Sequence, residues 1–181
     1  AGQPSTAYAI EVLSLLDAVL TPLRTRTEKT YSEPLATRAY AKEAIEVRDA
    51  DGRIRQTRDY PRLKHGGAHL GADEGRRDAD VGQRLLAALA LGVVAWWAVA
   101  AMTAAGLARA HACSHRAAWR RIWRNECDFA WNAVLAAMAA LLLLLLPVAM
   151  LAAEYHVFGT DKVGQDVLYQ VLKSVRTALV I

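Results

Sequence analysis

Two histidines and two cysteines lie close together in the middle of the chain, and both residue types can bind zinc. His111, Cys113 and His115 form a His-x-Cys-x-His string, and Cys127 follows further on. On a helix, His111 and His115 would share one face, whereas Cys113 would point elsewhere. Structural zinc sites usually contain a Cys-x-x-Cys or similar pair, and this sequence has none. We therefore expect no metal site here.

Two carboxylates near the end of the sequence, Asp161 and Asp166, could bind a ligand or organise the backbone. Thr160 or Asp161 could accept hydrogen bonds from the unpaired N–H groups of a helix start. Beyond them, apolar residues recur at helical spacing from Val167 to Leu179 and predict an amphipathic helix. We interpret both carboxylates as groups that cap and orient this helix, because acidic residues at helix starts commonly have that role.

Sequence motifs of common enzymes are absent. The chain contains no Gly-x-x-x-x-Gly-Lys-Ser/Thr phosphate loop, no Gly-x-Ser-x-Gly nucleophile turn and no His-Glu-x-x-His pair. We predict no catalytic residue, no cofactor site and no ATP hydrolysis by this chain. The net charge of +4 does not indicate nucleic-acid binding, because five arginines concentrate between two apolar segments and no nucleic-acid motif accompanies them.

Two segments, 85–108 and 129–153, contain no Asp, Glu, Lys or Arg. Each exceeds the roughly 20 helical residues needed to cross about 30 Å of hydrocarbon. A chain of 181 residues is too short to bury two such helices on all sides. The predicted fold is therefore mainly α: an integral membrane protein with two transmembrane helices and a small, mixed α/β, water-exposed amino-terminal region.

The basic connector 109–128 sets the expected orientation. Lys and Arg near the span ends number five in the connector, three before the first span and three after the second, which favours a cytoplasmic connector. Its spacing of Trp119, Ile122 and Trp123 predicts a short helix on the membrane surface, in contact with lipid. The orientation-setting residues are Arg109, Arg116, Arg120, Arg121 and Arg124.

The remaining segments, 1–83 and 154–181, would then both be extracytoplasmic. Within 1–83, alternating residues on either side of an Asp51-Gly52 turn predict a β-hairpin. A weaker helical pattern covers residues 35–44. The glycine-rich, charged composition of segment 64–83 indicates a linker. If the natural amino terminus is cytoplasmic, a further span must precede this sequence.

The carboxy-terminal segment resembles a region of dipeptide and oligopeptide ABC importer permeases. In that family, a His-x-x-Gly-Thr-Asp-x-x-Gly-Arg-Asp-Val-Leu string follows the first membrane span; Gln165 replaces the usual Arg here. We assign Arg176, in the helix beyond the string, to the same motif, and all these residues are expected to have structural rather than catalytic roles. The matching residues are His156, Gly159, Thr160, Asp161, Gly164, Asp166, Val167 and Leu168.

This resemblance implies a multi-pass subunit of a bacterial inner membrane that transports peptides or similar small solutes. Its implied partners are a second permease subunit, ATP-binding cassette ATPase subunits, an extracytoplasmic solute-binding protein and membrane lipid. The sequence would then be an amino-terminal fragment, because the ATPase-coupling loop is expected beyond residue 181. The alternative is a two-span membrane anchor that carries an extracytoplasmic interaction or sensor region. A membrane-embedded enzyme finds no support, since neither span contains an acid, a base or a metal ligand.

Overall fold

The structure, a computed structural model, describes residue 18, residues 20–48 and residues 54–180. The chain divides into two compact units. The helical unit comprises Asp78–Leu151. The second unit is discontinuous, because it combines residues up to Arg77 with residues from Ala152 onward. We call it the joint unit.

Two long helices dominate the helical unit. Helix α1 is Arg77–Ala110 and helix α3 is Trp131–Ala152, with the short helix α2, His115–Arg124, between them. At about 1.5 Å per residue, α1 is about 51 Å long and α3 about 33 Å. The most apolar windows of the two helices have mean hydropathies of 2.2 and 2.8, and 17% of each window is buried within the protein. Both helices are thus long and apolar enough to span a membrane, and their apolar surface is mostly uncovered.

Small residues allow α1 and α3 to approach closely. A Cβ added at Gly92 would lie 3.4 Å from the Leu143 side chain and 3.5 Å from that of Leu146. The indole N–H of Trp96 donates a 2.8 Å hydrogen bond to the carbonyl of Leu135. This bond gives a mid-helix tryptophan a partner in the neighbouring helix, as expected for an indole in an apolar setting. Pro147 lies inside α3, which continues to Ala152.

Helix α2 packs on the other helices through one face. Ser114 caps its start by accepting from Ala117 N–H, and Asn125 ends it with a φ of 55°. Ile122 is buried in a cluster with Ala100, Ala104 and Leu135, and Trp119 packs against this cluster. Trp123 is 59% exposed. The predicted helix forms, but Ile122 and Trp119 contact protein, because the small α1 side chains leave room for them.

The predicted β-hairpin is present in the joint unit. Strands β1, Glu43–Arg48, and β2, Ile54–Asp59, are antiparallel, with Arg48 opposite Ile54. The turn at Asp51-Gly52 lies outside the described residues.

Two other amino-terminal predictions differ from the structure. Residues 35–42 form no helix, and Leu35 has a φ of 55°, because this stretch pairs with distant segments instead. Ser32 and Arg38 form isolated β-bridges with Thr160 and Arg62. The segment 64–83, expected as a linker, contains two 3₁₀ turns, Ala68–Leu70 and Glu74–Arg76, and the first residues of α1.

The two parts of the joint unit are connected through their backbones. Glu28 N–H donates to Gly164 O at 2.8 Å, Leu35 N–H to His156 O at 2.9 Å and Gly67 N–H to Glu154 O at 2.8 Å. Helix α4, Val167–Val180, follows this interface. Residues 26–35 therefore lie along residues 152–165, and side chains from both parts meet.

Candidate functional site

A buried histidine at the centre of the joint unit lies between two carboxylates. His156 Nδ1 is 2.7 Å from Asp166 Oδ2, and His156 Nε2 is 3.1 Å from Glu28 Oε1. The side chains of His156, Asp166 and Glu28 are 1%, 1% and 3% exposed. We call these three residues the His156 cluster.

Backbone amides stabilise the charge of Glu28. The Oε2 atom accepts from Lys64 N–H at 2.7 Å, and Oε1 accepts from His65 N–H at 2.7 Å and Gly66 N–H at 3.3 Å. Burial, the largest influence, raises the pKa of Glu28, but the hydrogen bonds from His156 and these amides outweigh it and lower the pKa to about 2. Glu28 is therefore ionised at neutral pH.

His156 is correspondingly protonated. Burial, again the largest single influence, lowers its pKa, but the hydrogen bonds and charges of Asp166 and Glu28 together raise the pKa to about 9. An imidazolium between two carboxylates satisfies both ring N–H groups. The second oxygen of Asp166 accepts from Leu168 N–H at 2.8 Å, so Asp166 also caps the start of α4.

Asp161 has a different role from the one expected. Its carboxylate accepts from the N–H groups of Val163 and Gln165 and from the Gln170 side-chain amide, at 2.9, 2.8 and 2.6 Å. It therefore closes the turn before α4, whereas the helix cap is Asp166. Burial raises the pKa of Asp161, but the hydrogen bonds from Gln165 and Gln170 outweigh it and lower the pKa.

Thr160 connects the carboxy-terminal string to the amino-terminal segment. Its hydroxyl lies 3.0 Å from the Thr30 carbonyl and 3.0 Å from the Ser32 hydroxyl. Thr160 and Ser32 are 1% and 0% exposed. These hydrogen bonds between uncharged groups extend the contact between the two parts of the joint unit beyond Gly159.

Two glycines permit the close approach of the backbones. Gly159 and Gly164 have φ angles of 74° and 78°, which favour glycine. A Cβ at Gly159 would collide with the backbone carbonyl of Ser32, and a Cβ at Gly164 with that of Glu28. Only a residue without a side chain fits at either position.

The string 156–168, from which the sequence predicted a permease, is buried selectively. Of the matching positions, six are buried and the other two, Asp161 and Val167, are half-buried. The non-matching Lys162, Val163 and Gln165 are exposed. Apart from Val167, each matching residue takes part in a contact described above. The buried six are His156, Gly159, Thr160, Gly164, Asp166 and Leu168.

The other sequence-predicted residues lie elsewhere. Arg176 is half-buried on α4. Arg116, Arg120, Arg121 and Arg124 belong to α2, and Arg109 lies near the end of α1. Within the described part of the chain, His111, Cys113 and His115 form no group of ligands suitable for a metal.

Sequence reasoning missed Glu28, the second carboxylate of the cluster. Glu28 and His156 are separated by 128 positions. An isolated glutamate in a polar segment carries no periodicity or motif that could have identified it.

The arrangement links the two parts of the joint unit to each other. Each side-chain nitrogen and carboxylate oxygen of the His156 cluster has a hydrogen-bond partner inside the protein. The three side chains are almost completely buried. A comparison with known proteins gave no match: no family model, curated protein or solved structure is significantly similar to this chain.

Proposed function

We propose that this chain is part of the permease subunit of an ABC importer in a bacterial inner membrane. In this proposal α1 and α3 cross the membrane, α2 is cytoplasmic and the joint unit is extracytoplasmic. A separate ATPase supplies the energy, and the solutes are peptides or similar small molecules.

Support for membrane insertion comes from the helices and from the way the joint unit is connected. Exposure of the uncovered apolar surface of these two helices to water would cost about 25 cal/mol for each Å². Two crossings return the chain to the side from which it started. Residues 28 and 156 must be on one side, because Glu28 and His156 are hydrogen-bonded.

One observation carries the permease proposal: the selective burial of the matching residues in the string 156–168. A chance match would place shared residues on exposed and buried positions alike. Here three of the four shared polar residues are buried, all four are hydrogen-bonded, and the shared glycines lie where a side chain would collide. These properties support the proposal that the string has the structural role expected of it in the permease family.

The proposed role of the His156 cluster is to hold the start of α4. Asp166 is both a partner of His156 and the cap of this helix. Fixing α4 against the residues around Glu28 would fix the point from which the chain continues into the transport pathway. A second permease subunit, two ATPase subunits and a solute-binding protein complete the proposed importer, since two spans cannot enclose a path.

Uptake by intact cells tests this proposal. We expect deletion of the gene to abolish accumulation of a radiolabelled dipeptide, and the wild-type gene to restore it. We also expect the full-length protein, purified in mild detergent, to bring with it a protein that contains a phosphate-binding loop. Unchanged uptake of dipeptides, tripeptides and other small solutes, together with purification without an ATPase, would instead favour the membrane anchor.

A further inference from the structure

A basic groove on the joint unit lies beside the His156 cluster and shares Asp166 with it. It has a volume of about 460 Å³, within the usual range of small-ligand sites. Four basic side chains line it, two from each part of the unit: Arg24, Arg26, Lys173 and Arg176.

The charge of the groove is strongly positive. Its one lining carboxylate, Asp166, is already bonded to His156. The Lys173 ammonium lies 6.0 Å from the centre of the Tyr169 ring, which is also in the groove wall. Among the described residues, neither Arg24 nor Lys173 forms an ion pair with a carboxylate. Such a site favours an anion, and guanidinium groups match the oxygens of phosphate in particular.

The position of the groove indicates where this anion comes from. Arg26 donates to the carbonyls of Ala152 and Ala153, at the residues where α3 ends. If α3 crosses the bilayer, its end lies at the level of the lipid headgroups. Arg26, which lines the groove, is then held near the phosphates.

We propose that this groove binds the phosphate of an anionic phospholipid. The ligand class is a phosphate ester held by Arg24 and Lys173, with Arg26 and Arg176 beside it. The lipid source depends on the membrane insertion proposed above, but the binding does not depend on transport.

Nanodiscs that contain the full-length protein provide the test. The probes are phosphatidylglycerol in phosphatidylcholine, phosphatidylcholine alone, and inorganic phosphate in detergent. The readout is hydrogen exchange of the segment 164–176. The test variant is Arg24→Gln/Lys173→Gln, and the matched control, which removes two charges from exposed positions outside the groove, is Lys42→Gln/Arg58→Gln.

We expect phosphatidylglycerol to protect residues 164–176 from hydrogen exchange in a saturable manner. The groove variant should need at least tenfold more phosphatidylglycerol for the same protection. The control variant should behave like the wild type. Protection by inorganic phosphate alone, with the same dependence on Arg24 and Lys173, would keep the phosphate site but reject lipid as its source. Equal protection by phosphatidylcholine, or an equal loss in both variants, would overturn the proposal. Uptake measurements are separate, so failure of the transport proposal would be recognised independently.

Discussion

At the scale of single residues, His156 links the two parts of the joint unit through Glu28 and Asp166. Replacing it by Ala would leave Glu28 and Asp166 buried without their common partner. Removal of one partner from a buried ion pair costs about 3–5 kcal/mol. We expect His156→Ala to destabilise the joint unit by about 3 kcal/mol, measured as faster hydrogen exchange in residues 154–168. Lys162→Ala, an exposed change in the same loop, should have little effect; equal exchange in both variants would contradict this role.

The same cluster predicts how stability depends on pH. The folded pKa of His156, about 9, exceeds its ordinary value of 6.5, so the stabilisation is complete below pH 6.5 and is lost as pH rises through 9. The folded pKa of Glu28, about 2, is below 4.5, so its contribution is complete above pH 4.5 and is lost as pH falls through 2. We expect maximal stability of the joint unit between pH 4.5 and 6.5.

Denaturation of the joint unit across this range checks the prediction. One pKa unit corresponds to about 1.4 kcal/mol, so the loss between pH 6 and pH 10 is on the order of 3 kcal/mol. His156→Gln is the control, because a glutamine does not titrate. A wild-type protein whose alkaline loss is no greater than that of His156→Gln would show that the histidine is not responsible.

At the scale of elements, the turn before α4 depends on glycine. Gly164→Ala would introduce a Cβ against the Glu28 carbonyl and would strain a φ of 78°. We expect a loss of at least about 2 kcal/mol in the joint unit. Gly82→Ala is the matched control, because Gly82 lies in α1 with nothing within 4 Å of its added Cβ. It should be neutral or slightly stabilising, and a similar loss in both variants would argue against the close approach.

In the helical unit, the burial of side chains on α2 predicts how much their removal destabilises the protein. Ile122 is 1% exposed, so Ile122→Ala should cost about 2–4 kcal/mol. Trp123 is 59% exposed, so Trp123→Ala should cost much less. Tryptic cleavage at the α2 arginines in permeabilised membranes measures the difference. Greater sensitivity of the Trp123 variant would place α2 on lipid through its tryptophans, as the sequence alone suggested.

What the sequence could predict at this scale depended on local patterns. Charge-free segments, an apolar stripe and an Asp-Gly turn predicted α1, α3, α4 and the hairpin. The contact between residues 26–35 and 152–165 could not be predicted, because it joins segments separated by the whole helical unit. Residues 35–44 form no helix, despite their helical pattern, because Leu35 and Arg38 pair with distant segments. Likewise, the sequence singled out His156 and Asp166, but no local pattern identified their partner Glu28.

At the scale of the whole molecule, the proposed function requires that α1 and α3 cross a membrane. The joint unit requires residues 28 and 156 on the same side, which an even number of crossings between them provides. The excess of arginine in α2 favours the cytoplasm for the connector. Both native cysteines of this sequence, Cys113 and Cys127, lie in that connector, and both are half-buried. They can therefore report its side directly.

Labelling of intact cells with a membrane-impermeant maleimide is the most direct measurement. Any cysteines elsewhere in the full-length protein are replaced by serine. We predict that Cys113 and Cys127 react only after the cytoplasmic membrane is permeabilised. In a variant without them, a cysteine introduced at the exposed Lys162 should react in intact cells. Reaction of the connector cysteines from outside, or protection of position 162, would contradict the proposed arrangement.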